Sequence, residues 1–195
     1  EFVESIRVPS GREATWRDFA GWFARMRQTF KGIDGHQAFE EIRGVIAAGA
    51  GGVLSRDDYR QLGVRQSIFP ESERDALYDL FDKYRAWLAE CALFDLNLVA
   101  HEWQALAGPR YDFVVIDEVQ DITSVQLALV LKTLKKPGHF LLCGDSNQIV
   151  HPNFFSWAQV KSLFWRDPQL AERQQLQLLS ANFRNGQEAT RVANQ

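Results

Sequence analysis

The chain predicts an α/β protein: a partial parallel sheet preceded by a mostly helical region. Three observations carry this. Aromatic and aliphatic residues recur at three- and four-residue spacing through residues 1–110. Two short apolar runs, Phe113–Ile116 and His139–Cys143, have strand length and are separated by one helix-length segment, Thr123–Thr133. Each run ends on a polar cluster, Asp117-Glu118 and Gly144-Asp145. Strand, helix, strand is a βαβ unit, which implies parallel strands and a right-handed crossover.

In chain order, Val3–Val8 reads as a short strand, with Pro9-Ser10-Gly11 as its turn. Trp16, Phe19, Trp22, Phe23, Met26 and Phe30 form one apolar helix face. Phe39, Ile42, Val45 and Ile46 repeat it until Gly49–Gly52 breaks the pattern. Ser55 caps a short helix, Arg56–Leu62. Pro70 opens a longer one with Leu77, Leu80, Phe81, Tyr84, Trp87 and Leu88 as its stripe. Asp95 caps another, with Leu98, Val99, Trp103 and Leu106 inward. These aromatic stripes are core rather than base-stacking platforms. The run Phe113–Ile116 reads as a strand buried on both faces. Lys135-Lys136-Pro137-Gly138 is a turn. Pro152–Trp165 reads as loop plus helix, Leu176–Leu179 as a third strand, and a last helix starts near Gln187.

Composition bounds the function. In 195 residues, 46% hydrophobic and 12% aromatic content suffices for a sizeable core. The net charge is −3, so no global basic signature marks a nucleic-acid protein, although a local groove can suffice. Cys91 and Cys143 lie in apolar stretches, as buried thiols of a reducing cytoplasm do. No signal peptide is visible and no apolar run reaches membrane-span length, so no membrane partner is expected. Both ends read as cuts within a longer chain, which predicts an internal fragment.

The polar clusters carry the chemistry. Ligands of α/β proteins collect at the carboxyl ends of parallel strands. The clusters there are Asp117-Glu118-Val119-Gln120-Asp121, Gly144-Asp145-Ser146-Asn147-Gln148 and Asn182-Phe183-Arg184-Asn185. In a parallel sheet they face one edge and suit phosphoanhydride hydrolysis. Asp117 would hold Mg²⁺ on nucleotide phosphates, since Mg²⁺ takes one or two carboxylates and keeps phosphate ligands. Glu118 would polarise the attacking water. Gln148 would hydrogen-bond a γ-phosphate oxygen or that water, and Arg184 would neutralise the transferred phosphoryl group. Phe183 would stack on adenine. Each residue has a plainer reading as well: Gly144-Asp145 as a turn, Gln148 as surface, Arg184 as an ion-pair partner, Asp121 as a helix cap. Their ordered co-occurrence favours chemistry.

DEVQD, GDSNQ and LLSANFRN resemble motifs II, III and IV of superfamily 1 DNA helicases of the UvrD/Rep type, and FDLNLVAHEWQAL resembles the helix preceding motif II in that group. The resemblance covers Phe94–Asn194. It implies a P-loop-NTPase-like (RecA-like) fold, with ATP, Mg²⁺ and single-stranded or partly duplex DNA as partners in the cytoplasm or nucleoid. It also implies a division into a helical 1B-type insertion (1–93), the back half of a first motor domain (94–179) and the start of a second (180–195). Asp117 is similar to the Mg²⁺ ligand, Glu118 to the catalytic base, Gln148 to the γ-phosphate sensor and Arg184 to the motif IV arginine. Gln120 and Phe183 group with Asp117 at the nucleotide, Phe183 standing where a stacking tyrosine is usual.

After GDSNQ the chain departs from the family's usual Tyr-Arg-Trp-Arg stretch and reads IVHPNFFSW, whose Phe154, Phe155 and Trp157 either stack on DNA bases or pack inside. None of the six lysines follows a glycine, so the phosphate-cradling G-x-x-x-x-G-K-[ST] loop is not in these residues. The remainder of the parent chain would have to supply it. Two other readings stay open: a non-catalytic helicase-like module that binds DNA or protein, and an unrelated Mg²⁺-dependent phosphohydrolase in which Asp145 joins the acid pair.

Overall fold

The computed structural model describes residues 2–145. The third strand, the loop and helix of 152–165 and the last helix expected from the sequence lie outside them, as do Gln148, Phe154, Phe155, Trp157, Phe183 and Arg184.

The first half is a helical body. Helix α1 spans Phe2–Ile6, where a strand is expected from the sequence. Phe2, Val3 and Ile6 pack against Val99, Ala100, Trp103, Val125 and Leu129, a spacing that suits one helix face. Strand β1, Arg12–Glu13, is followed by helix α2, Trp16–Met26. Thr15 and Asp18 close a reciprocal capping box at its start. The helix stops before Phe30, whose N–H turns back to the Met26 carbonyl at 3.1 Å, yet Phe30 stays buried.

Helix α3, Gly35–Glu41, runs into a π turn over Ile42–Ile46, where Ala47 N–H reaches the Ile42 carbonyl at 2.9 Å. Helix α4, Arg56–Arg60, is capped by Ser55, and helix α5, Glu71–Glu90, starts after Pro70. Between them they bury Phe19, Ile42, Ile46, Tyr59, Leu77, Leu80, Phe81 and Tyr84 completely. Trp22 and Trp87 stack at 5.1 Å between centroids, and Phe19 meets Phe39 at 4.9 Å. The expected stripes are therefore core. Strand β2, Leu93–Phe94, pairs in parallel with β1.

The buried charges of this body are all partnered. The Glu41 carboxylate accepts from Tyr59 Oη at 2.9 Å, from Ser67 Oγ and from Ile68 N–H at 3.1 Å. Burial, then the Glu41 charge, pushes the Tyr59 phenol well above its ordinary pKa. Arg74 donates to the carbonyls of Arg60, Leu62 and Phe69 at 2.9, 2.6 and 3.1 Å, which locks the loop before α5.

The second half is the βαβ unit. Helix α6, Leu96–Trp103, has Asp95 as N-cap, accepting from Asn97 and Leu98 N–H. Strand β3, Val114–Ile116, leads through a 3₁₀ turn at Val119–Asp121 to helix α7, Ser124–Lys132, and then to strand β4, Phe140–Leu142. The two strands pair in parallel, Val114 with Phe140 and Ile116 with Leu142.

Three expectations are corrected. The strand β3 is not buried on both faces: Val115 is 60% exposed and Leu141 51%. Helix α7 covers one face, packing Leu127 and Leu131 with Ile116, Phe140 and Leu142. The side chains of Phe113, Val115 and Leu141 alternate to the other face and are exposed. Leu106 is exposed because it lies past the end of α6. Cys91, at the end of α5, is exposed rather than a buried thiol, and Cys143 is half-buried. Among the described residues no helix is long and apolar enough to cross a membrane.

Helices α6 and α7 tie the halves together. Asn97 Nδ2 donates to the Arg43 carbonyl at 2.7 Å, while its Oδ1 accepts from Thr123 Oγ1 at 2.7 Å and Gln126 Nε2 at 2.8 Å. Val125 N–H reaches the Ala48 carbonyl at 2.9 Å.

Candidate functional site

The acid pair sits where β3 ends. The ladder continues past the strands: Cys143 N–H donates to the Ile116 carbonyl at 2.8 Å, and Val119 N–H to the Cys143 carbonyl at 2.9 Å. Between those two bonds the chain makes a sharp turn. Glu118 takes φ 50° and ψ 45°, a left-handed conformation that costs a non-glycine residue about 1–2 kcal/mol. The Glu118 N–H points back to Asp117 Oδ1 at 3.0 Å. Both carboxylates are exposed, while Val119 beside them is fully buried and anchors the turn with Leu127. Strain at an exposed acid, held by a packed neighbour, is the arrangement expected of a working group.

The end of β4 closes on the same place. Gln120 is buried at 6% exposure and bridges the two strand ends. Its Nε2 donates to Glu118 Oε2 at 2.6 Å, and its Oε1 accepts from Asp145 N–H at 3.2 Å. Gly144 makes this approach feasible: a Cβ there would lie 2.6 Å from Gln120 Oε1 and 2.8 Å from Val119 Cγ1. Asp121, read from the sequence as a candidate cap of α7, ends the 3₁₀ turn instead; the N-cap is Thr123, whose N–H bonds Gln126 Oε1 at 3.4 Å.

So Asp117, Glu118 and Gln120 lie together with Gly144 and Asp145, while the rest of the second cluster and all of the third lie outside the described residues. Sequence reasoning missed the bridging by Gln120 and the link from Asn97 to the cap of α7. A glycine directly after an apolar strand was the one signal for the close approach at Gly144. Among the described residues no group of three or more His, Cys, Asp and Glu side chains gathers to cage a metal ion. An exposed Asp117 with one oxygen engaged by a backbone N–H fits Mg²⁺ brought in on phosphate oxygens and water, and does not fit an all-protein site.

Residues 61–163 match the family model described as the UvrD/REP helicase N-terminal domain. The match starts upstream of the helicase-like motifs, before helix α5, and takes in both polar strand ends, while Phe183 and Arg184 lie beyond it. The chain is also similar to the human "TPR and ankyrin repeat-containing protein 1", 27% identical over 120 residues. That alignment covers 58% of this chain and only 4% of the human protein. No solved structure matches the chain.

Proposed function

This chain belongs to the UvrD/REP helicase N-terminal domain family, and from that premise we propose that it is part of an ATP-dependent DNA helicase or translocase. The carrying observation is the acid pair at the end of β3, bonded through Gln120 to the end of β4. The two parallel strands and their crossover helix are taken as part of a RecA-like motor domain, with the helical body as a 1B-type insertion.

In this reading Asp117 holds Mg²⁺, which when bound would neutralise phosphate charge. Glu118 accepts a proton from the attacking water, and its exposure leaves that water access. Gln148 senses the γ-phosphate, Arg184 stabilises the transferred group and Phe183 stacks on adenine. Phe154, Phe155 and Trp157 are candidate contacts to single-stranded DNA. The β- and γ-phosphates would be cradled by a lysine-bearing loop supplied by further sequence of the same protein.

The test is DNA-stimulated ATP hydrolysis by the full-length protein. Glu118→Gln should lower turnover by about 10²- to 10⁴-fold, the worth of a positioned general base, while ATP still binds. Turnover unaffected by that change would overturn the role of Glu118. The 195-residue chain alone should not hydrolyse ATP, because it carries no glycine-lysine step to hold the phosphates. A second reading, a helicase-like module that binds without hydrolysis, is favoured by that same missing step. A full-length protein lacking any G-K-[ST] loop would decide for it.

A further inference from the structure

We infer that Gln120 is a positioning residue that orients the Glu118 carboxylate and couples it to the strand end leading to Gln148. The inference rests on the proposed role of Glu118 as base and adds to it.

The bridge has one chemical sense. A carboxylate only accepts and a backbone N–H only donates, so the Gln120 amide must turn its NH₂ to Glu118 Oε2 and its oxygen to Asp145 N–H, as the 2.6 and 3.2 Å contacts have it. The glutamine amide carries a donor and an acceptor side by side at the end of a flexible stem, which suits this bridge. Glutamate would set a second carboxylate against Glu118, and methionine fills the space with neither bond. The amide is buried, Val119 beneath it is fully buried, and the missing Cβ of Gly144 leaves the space the amide oxygen occupies.

The consequence is mechanical and chemical together. An exposed glutamate rotates freely about its side-chain bonds. A bond into Oε2 fixes the carboxylate and leaves Oε1 to face a water. Because the same amide holds Asp145 N–H, a shift of the β4 end moves the base. Gln148, the proposed γ-phosphate sensor, follows Asp145 by three residues. Movement of the β4 end at Asp145 and orientation of the base become one event.

Gln120→Met in the full-length protein tests this, read by steady-state ATP hydrolysis, binding of a non-hydrolysable ATP analogue, thermal melting and hydrogen exchange of the peptide containing Asp145. The turnover number should fall about ten- to a hundred-fold, the usual cost of losing a group that orients a catalytic one. The KM for ATP and the analogue affinity should stay within about threefold, and exchange at the Asp145 peptide should speed up. Unchanged turnover, or a loss confined to KM, overturns the inference. If Gln120→Met does not fold, Gly144→Ala decides: it keeps the amide but pushes it aside, and should lower turnover in the same way. Wild-type turnover in Gly144→Ala then overturns the inference. Glu118→Gln run in parallel separates the two levels. If it abolishes hydrolysis while Gln120→Met does not, the base stands and the bridge falls. If it leaves hydrolysis intact, the base itself falls.

Discussion

The helical body and the βαβ unit treat their charged groups in opposite ways. In the body, Glu41 and Arg74 are buried and every bond they need is made inside the protein. In the βαβ unit, Asp117 and Glu118 are exposed, and Glu118 is held in a strained backbone. The body rests on a large cluster rich in aromatic rings; the acid pair rests on a small, mainly aliphatic cluster around Val119 and Leu127. Where packing is dense, charge serves to fix a loop. Where packing is thin, charge is left open to solvent.

The sharpest way to break this contrast is to open the body. Phe19 is fully buried and touches the rings of Trp16, Trp22, Phe23, Phe39 and Tyr84. Phe19→Ala should cost about 3–5 kcal/mol, read as a lower denaturant midpoint. Asp117→Asn, at an exposed acid, should change stability by less than about 0.5 kcal/mol. Equal losses at the two positions would erase the distinction.

Next comes the join between the halves. Asn97→Ala removes the partner of the Arg43 carbonyl, the Thr123 hydroxyl and the Gln126 amide, and should cost about 1–3 kcal/mol. Combined with Thr123→Val in a double-mutant cycle, it should show a coupling of at least about 0.5 kcal/mol. Strict additivity would mean the halves are joined by apolar packing alone.

Much of the body was legible because it follows local rules. The stripes of α2 and α5 and the caps Ser55 and Asp95 are each set by residues within a few positions of one another. The strand ends carrying Asp117 and Gly144 were legible for the same reason. What escaped depends on distant partners. Strands β1 and β2 are two residues each and exist only through pairing across about eighty positions of chain. Phe2–Ile6 is helical because α6 and α7 present a surface to it. The exposed face of β3 follows from which elements cover the sheet, and an apolar run cannot report that. Gln120 meets Asp145 across 25 positions. The site's acids could be read from the sequence, but not what holds them.

A smaller effect separates strain from stability. Glu118→Gly relieves the left-handed backbone, worth about 1–2 kcal/mol, and adds unfolded-state freedom of about 0.4–1 kcal/mol. The net should be neutral to about 1 kcal/mol stabilising by chemical denaturation, while hydrolysis by the full-length protein is lost. A clear destabilisation would mean that the Glu118 side chain supports the fold, and that the strain there is not kept for chemistry.

The smallest effect lies on the surface of the body. The Arg12 guanidinium, bonded to both Asp18 oxygens at 2.6 Å, and then the Thr15 hydroxyl and N–H hold the Asp18 carboxyl well below its ordinary value of 3.8. Because the folded-state pKa is depressed, the stabilisation is fully present above the unfolded value. It is lost as pH falls toward the folded one. The melting temperatures of the wild type and Asp18→Asn should therefore differ most near pH 6 and converge below about pH 4. The gap should be modest, since a solvent-facing pair is screened, and added salt should narrow it further. A difference that persists unchanged to pH 2 would assign the effect to the cap geometry of α2, which an asparagine also alters, rather than to the ion pair.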